Sequence, residues 1–321
     1  MGETMSNAEI FRSGAEKSTA QVAQALLRDG VVILDDVLPA AVVDRLSEKL
    51  QPHFDTSQSG GDAFMDAATS TVTAFWGIHP EFSEQLLLNQ RILELADAVL
   101  LPENPMAAST VRPAKASYAA RLADPGDGCL QIVSEGTWDP ARGPNCHHYR
   151  LVAGDSIRLH PGCKDQPLHR DQGVWEPYVP NDPSTPQHEM IFNLAAINFT
   201  EANGATRFVP GSHLWPKERL ATRGEVARAE MPKGAVAVWL GRTLHGYGAN
   251  HTDVPRPGII FGFGPDWLTQ ECNLCLAVPP EVARTLPLQA IQLLGYRAGG
   301  GNSLKGRNAE NLLEPGKSGA L

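Results

Sequence analysis

The chain has 321 residues and a mass of 34.6 kDa, long enough for one large domain or two small ones. Its 42% hydrophobic and 20% charged residues are those of a globular protein rather than of a disordered or membrane chain. With 27 basic against 36 acidic side chains the net charge is −9, which argues against a broad basic footprint for nucleic acid.

No apolar run reaches the length of a membrane span, and the polar start Met1-Gly2-Glu3-Thr4-Met5 is not a signal peptide, so a cytosolic location is expected. Residues 1–18 are expected as a flexible tail. From Thr19, the stripe Val22, Ala25, Leu26 predicts a helix ended by Asp29-Gly30, where glycine suits a left-handed cap. Val31 to Leu34 reads as a buried strand, and Val42, Val43, Leu46 and Leu50 as a second helix on it. Phe54 to Ala68, rich in Ser, Gly and Asp, is a loop. Glu81 to Leu100 is expected as one long amphipathic helix through Leu86, Leu87, Ile92, Leu95 and Val99.

After Pro102 the helical period fades, glycine and proline rise, and short apolar runs stand between turns: Leu130 to Val133, Ser156 to Leu159, Met190 to Phe199, Ala235 to Leu240 and Gly258 to Phe263. Such spacing predicts a mainly β domain with flanking α-helices, an antiparallel sandwich or barrel. The proline- and aspartate-rich stretch Trp175 to Gln187 is too long for a hairpin and is expected to cover a site. Beyond Pro279, Val282, Leu286, Leu288, Ile291 and Leu294 suggest a last helix, and residues 298–321 a flexible tail. The organisation expected is therefore a single domain over 19–297, with a helical part 19–102, a β part 103–278 and a C-terminal helix 279–297. The apolar C-terminal helix and its Gly-rich tail point to a homodimer contact.

Chemistry concentrates in Gln166-Pro167-Leu168-His169-Arg170-Asp171-Gln172. Residues two apart on extended backbone share a face, so the His169 imidazole and the Asp171 carboxylate can converge on one point. His245, in Leu244-His245-Gly246-Tyr247-Gly248, is the third candidate. Two histidines and one carboxylate with positions left open are the ligand set of non-haem Fe(II) oxygenases. Arg256, eleven positions after His245, could hold a dicarboxylate through a bidentate pair. Gln166 offers an amide beside the metal. Trp175 and Tyr178, and Gln131 from a neighbouring strand, are candidate substrate contacts. His213 is read as anchoring a turn. Of the five cysteines, Cys272-Asn-Leu-Cys275 has zinc-knuckle spacing that Cys146-His147-His148 could complete, although two buried thiols are the simpler reading.

Leu168-His169-Arg170-Asp171-Gln172, the segment Asn203-Gly204 to Pro210-Gly211-Ser212-His213, and His245-Gly246 followed by Arg256 together resemble the phytanoyl-CoA dioxygenase family of Fe(II)- and 2-oxoglutarate-dependent oxygenases, and natural-product members in particular. The resemblance runs from about Thr19 to Arg297. It implies a double-stranded β-helix, a cupin-like jelly roll. It also implies iron on His169, Asp171 and His245, the far carboxylate of 2-oxoglutarate on Arg256, and further cosubstrate contacts from Gln166 and Thr206. Dioxygen is the other cosubstrate. The expected reaction is oxidation of an unactivated C–H bond in a small, largely apolar molecule of secondary metabolism, by hydroxylation, desaturation or a related rearrangement. Asp171 argues against a halogenase, which must leave that position free for halide. A non-catalytic cupin-like binder and a zinc hydrolase are the alternatives, and neither needs Arg256.

Overall fold

The computed structural model describes residues 8–57, 60–62, 64–101, 118–122, 130–134, 148–180 and 187–297, the two short pieces at 118–122 and 130–134 as backbone only. Strand β1 (Phe11–Ser13) lies within the stretch expected as a tail. It pairs in parallel with β2 (Val31–Leu34), which its buried Ser13 and the Arg12–Asp35 ion pair help to fix. Helix α1 (Thr19–Asp29) lies between them. Ser18 and Gln21 form a capping box at its start, and Gly30, at φ 75°, returns its N–H to Leu26 O at its end. Helix α2 (Ala40–Phe54) buries Val43, Leu46, Leu50 and Phe54.

Strand β3 (Thr69–Thr73) follows. The long helix expected over Glu81 to Leu100 is instead broken. A one-turn α3 (Pro80–Phe82) runs into a π-turn (Ser83–Leu87), and α4 (Gln90–Leu100) starts afresh with the Asn89 side chain accepting from Ile92 N. Asn89 caps here because its short amide competes for backbone donors better than it continues a helix.

Strands β4 (Tyr118–Leu122) and β5 (Leu130–Ser134) form an antiparallel hairpin. Next come β6 (Tyr149–Leu159), β7 (Met190–Ala195), β8 (Arg207–Phe208), β9 (Ala227–Arg228), β10 (Val236–Leu240), β11 (His245–Gly246) and β12 (Arg256–Pro265). Seven strands build one sheet in the order β1-β2-β10-β7-β12-β6-β3, antiparallel apart from β1–β2, and β11-β8-β9 form a second, small sheet.

Period-two alternation gives the large sheet two different faces. Val32, Leu34, Phe192, Leu194, Val236, Val238, Ile259 and Phe261 pack against the helices. Val31, Ile33, Ile191, Ala195, Ala237 and Trp239 turn toward Phe208, Ala205, Ala229 and Met231 of the small-sheet side. Two sheets enclosing a core, with helices backing the larger one, make the jelly roll expected from the sequence.

A short α5 (Leu274–Ala277) precedes Pro279, and the C-terminal helix expected beyond it is two short ones, α6 (Pro280–Ala283) and α7 (Leu288–Leu293). Pro279, Pro280 and Pro287 account for the breaks, since proline starts a helix but cannot continue one. Among the described residues no helix is long and apolar enough to cross a membrane.

Candidate active site

A cavity of about 330 Å³ opens between the two sheets, and His169, Asp171, His245, Gln166, Thr206 and Arg256 all line it. The His169 and His245 backbones bridge each other, N–H to carbonyl in both directions, which lashes the Gln166–Gln172 segment to the end of β11. Arg170 is extended at φ −120°, ψ 125°, so His169 and Asp171 share a face as the spacing requires; Asp171 itself begins a 3-10 turn ending at Trp175.

His169 Nε2 stands 3.5 Å from Asp171 Oδ1 and His245 Nε2 3.5 Å from Asp171 Oδ2. One ligand atom from each of the three lies within 4.8 Å of the others, a group unique among the described residues. Each imidazole turns Nδ1 to a backbone carbonyl, His169 to Pro167 O and His245 to Thr243 O, both at 3.1 Å. A carbonyl only accepts, so Nδ1 carries the proton and the Nε2 lone pair faces the shared point. Burial lowers the His245 pKa to about 4 and keeps that ring neutral. For Asp171 burial pushes upward, but His245, His169 and the Trp239 indole outweigh it and hold the carboxyl below its usual value.

Trp239 Nε1 donates to Asp171 Oδ2 at 2.8 Å. The one signal of this contact in the sequence is the place of Trp239 in an apolar strand run. Phe64 sets its ring edge against His169, 4.6 Å between centres, and Phe208 stacks on His245 at 5.8 Å. Two neutral nitrogen lone pairs and a carboxylate, walled by aromatic rings, fit a divalent metal that keeps further positions open.

Arg256 begins β12 and is 2% exposed. Its guanidinium lies over the Phe199 ring at 4.2 Å and donates from Nη2 to Gly204 O, while Nε has no partner. Gly258, on the same face, leaves it room, since a Cβ there would meet Arg256 Nη1 at 3.2 Å. Burial lowers the Arg256 pKa to about 9, and no carboxylate pairs with it among the described residues. A buried, unpaired cation facing a cavity is a site for an anion. Close by, Gln166 is held by Tyr247 N (3.2 Å to Oε1), and Thr206 Oγ1 accepts from Asn193 Nδ2 at 3.4 Å. Tyr247 also lines the cavity and takes the Asp66 N–H on its hydroxyl.

The remaining candidates are placed elsewhere. Tyr178 is 83% exposed, and Trp175 turns its indole N–H to the buried Glu189, 2.8 Å to Oε1; neither lines the cavity. Trp175 ends, and Tyr178 follows, the 3-10 turn that begins at Asp171. The Gln131 side chain lies outside the described residues, as do Cys146, His147 and residues 181–186 of the loop after Trp175. Cys272 and Cys275 are free thiols and join no group of metal-ligand geometry among the described residues. His213 is buried and bonds Leu27 O through Nε2, anchoring its turn to α1. Sequence reasoning missed Asp155, Asn193 and Glu271, which also line the cavity.

A family model for phytanoyl-CoA dioxygenase (PhyH) matches residues 138–258, a span that contains the triad, Gln166, Thr206 and Arg256. The dioxygenase ALT11 of Alternaria alternata is 28% identical over 278 residues, covering 87% of this chain and 82% of its own. Over that span the chain is similar to the phytanoyl-CoA dioxygenase family, and along most of its length to fungal dioxygenases. Another relative, the multifunctional dioxygenase ausE of Penicillium brasilianum, is 25% identical over 305 residues, 92% of this chain and 88% of its own. Among solved structures, the non-haem alpha-ketoglutarate-dependent epimerase SnoN from nogalamycin biosynthesis superposes with a TM-score of 0.51 at 19% identity, over 77% of this chain and 81% of that one. HygX from Streptomyces hygroscopicus, solved with nickel and 2-oxoglutarate bound, gives 0.52 at 14%, over 79% and 89%. At such identities these structures speak for the family's jelly-roll fold.

Proposed function

We propose that the protein is a non-haem Fe(II)- and 2-oxoglutarate-dependent dioxygenase that oxidises an unactivated C–H bond of a small, largely apolar molecule in secondary metabolism. The observation that carries this reading is Arg256: a buried guanidinium without a carboxylate partner among the described residues, in the same cavity as two Nε2 lone pairs and a carboxylate. A hydrolase or a simple metal binder has no use for such a group, whereas a 2-oxo dicarboxylate does.

His169, Asp171 and His245 would hold the iron, and Arg256, Gln166 and Thr206 the cosubstrate. Bound there, Fe(II) supplies the reaction of dioxygen with 2-oxoglutarate that yields succinate, CO2 and the oxidising equivalent for the C–H bond. The Pro167 and Thr243 carbonyls fix the two ring tautomers, and Trp239 holds Asp171 in register. Phe64 and Phe208 cover the imidazoles and exclude water from their faces. The Gly204 carbonyl accepts from Arg256 and holds the guanidinium that would orient one end of the dicarboxylate against the sheet.

The test is substrate-free turnover of 2-oxoglutarate to succinate, followed by mass spectrometry. Formation that requires added Fe(II), vanishes in His169→Ala, and needs at least about tenfold more 2-oxoglutarate in Arg256→Ala supports the assignment. An Arg256→Ala enzyme with unchanged 2-oxoglutarate dependence would remove it. The same reading places the protein in the cytosol as a homodimer through its C-terminal helices; a sedimentation mass of one chain at micromolar concentration would contradict the dimer.

A further inference from the structure

The cavity is divided by charge. Arg256, Gln166, Thr206 and Tyr247 gather donors at one end. Farther along the strands, the carboxylates of Asp155 and Glu271 line it. In cross-strand register, Asp155 of β6 faces Ile260 of β12, which faces Asn193 of β7, so the three share one row on the inner face of the large sheet. Glu271, held by its backbone N–H on Val152 O at 2.8 Å, stands at the cavity rim beside the same strand.

No hydrogen-bond donor or cation among the described residues pairs with the Asp155 or Glu271 carboxylate. Burial pushes Asp155 up to about 6, and burial together with Asp171 and Asp155 pushes Glu271 up to about 7, with no basic group offsetting either. Asn193, 2% exposed and lining the same cavity, leans the other way: its Nδ2 reaches Thr206 Oγ1 at 3.4 Å, and its Oδ1, without a partner, lies on the Arg256 side. The wall between is apolar: Ala153, Ile157, Ile191, Ile260 and Trp239.

We propose that the substrate is an amphipathic molecule with an apolar body and a basic nitrogen, whose ammonium is held by Asp155 and Glu271 while its carbon skeleton lies against Ile157, Ile191, Ile260 and Trp239. The proposal rests on the reading of this cavity as the oxygenase site. An organic cation fits better than a second metal ion. Asp155 and Glu271 are joined by no third group at metal-ligand distance among the described residues, and aliphatic walls suit a hydrocarbon, not a hydrated ion. Asp155, half-buried in the cavity wall, is costly to keep ionised without a cation, and an ammonium removes that cost while it binds. The nitrogen also sets the orientation: held at the Asp155 end, it directs a fixed stretch of the apolar body toward the point shared by His169, Asp171 and His245.

The experiment compares cyclohexylmethylammonium with its neutral isostere cyclohexylmethanol. Both are titrated by ligand-observed NMR into the protein loaded with Zn(II), as a redox-inert stand-in, and 2-oxoglutarate. The ammonium is expected to bind about tenfold more tightly than the alcohol. Asp155→Asn and Glu271→Gln should each reduce that preference, and together abolish it, with the alcohol's affinity unchanged. Glu271 is at the rim, so its variant keeps the test valid even where Asp155→Asn folds poorly. Equal binding of the two probes by the unaltered protein, or a preference that survives in the double variant, overturns the proposal. Binding of 2-oxoglutarate, measured in the same samples, tells this failure from failure of the dioxygenase reading, which would appear as no 2-oxoglutarate binding whatever the probes do.

Discussion

At the scale of single residues, the site is built by backbone carbonyls and buried charges more than by loops. The Pro167 and Thr243 carbonyls choose the tautomer of each imidazole, and Trp239 chooses the orientation of Asp171. Behind the metal-facing segment, Glu189 is fully buried. Its Oε1 accepts from Trp175 while Oε2 has no partner, and burial raises its pKa from 4.5 to about 8. The fold therefore prefers the protonated form. Its contribution is intact below the unfolded value and is lost as pH rises toward the folded one, because the unfolded chain ionises first. Glu189→Gln keeps the acceptor for Trp175 without the ionisation. Urea denaturation at pH 5 should scarcely distinguish the two proteins, and at pH 9 the variant should gain on the order of a few kcal/mol. A variant destabilised equally at both pH values would mean that Glu189 is ionised in the fold and partnered.

At the scale of elements, the two ends of the cavity are set by strand register and by a glycine turn. Gly204, at φ 90°, supplies the carbonyl that receives Arg256, and a Cβ there would stand 2.5 Å from Gly248 O. Gly204→Ala must move one of the two backbone segments that meet at Gly204 and Gly248. Equilibrium dialysis of the Zn(II)-loaded protein is expected to show 2-oxoglutarate affinity lowered by about tenfold or more, whereas an unchanged affinity would mean that the turn does not position Arg256. Much at this scale was legible in the sequence. Period-two runs marked β6, β7, β10 and β12 because one face of each meets helices and the other the cavity. The long helix over 81–100 and the single C-terminal helix were not legible in that way. A hydrophobic stripe continues across the Asn89 cap and the Pro279, Pro280 and Pro287 breaks, so periodicity alone joined what the backbone separates. The three metal-facing residues were legible because extended backbone and pairwise spacing fix them. Trp239, Asp155 and Glu271 were not, since their convergence depends on register between strands far apart in sequence.

At the scale of the molecule, a seven-stranded sheet backed by helices presents its other face to a small sheet, and the cavity lies where the two part. Arg256 stands toward one end of it and Asp155 toward the other, and the triad lines the same space. That division asks the protein to bind an anion and a cation on either side of one metal. The central claim is the pairing of Fe(II) with 2-oxoglutarate at this point, and anaerobic titration reads it most directly. Adding Fe(II) and then 2-oxoglutarate to the intact protein should raise the weak visible charge-transfer band of the chelate, saturating at one equivalent of each and absent in His169→Ala. No band from intact, folded protein at saturating iron and 2-oxoglutarate would contradict the account.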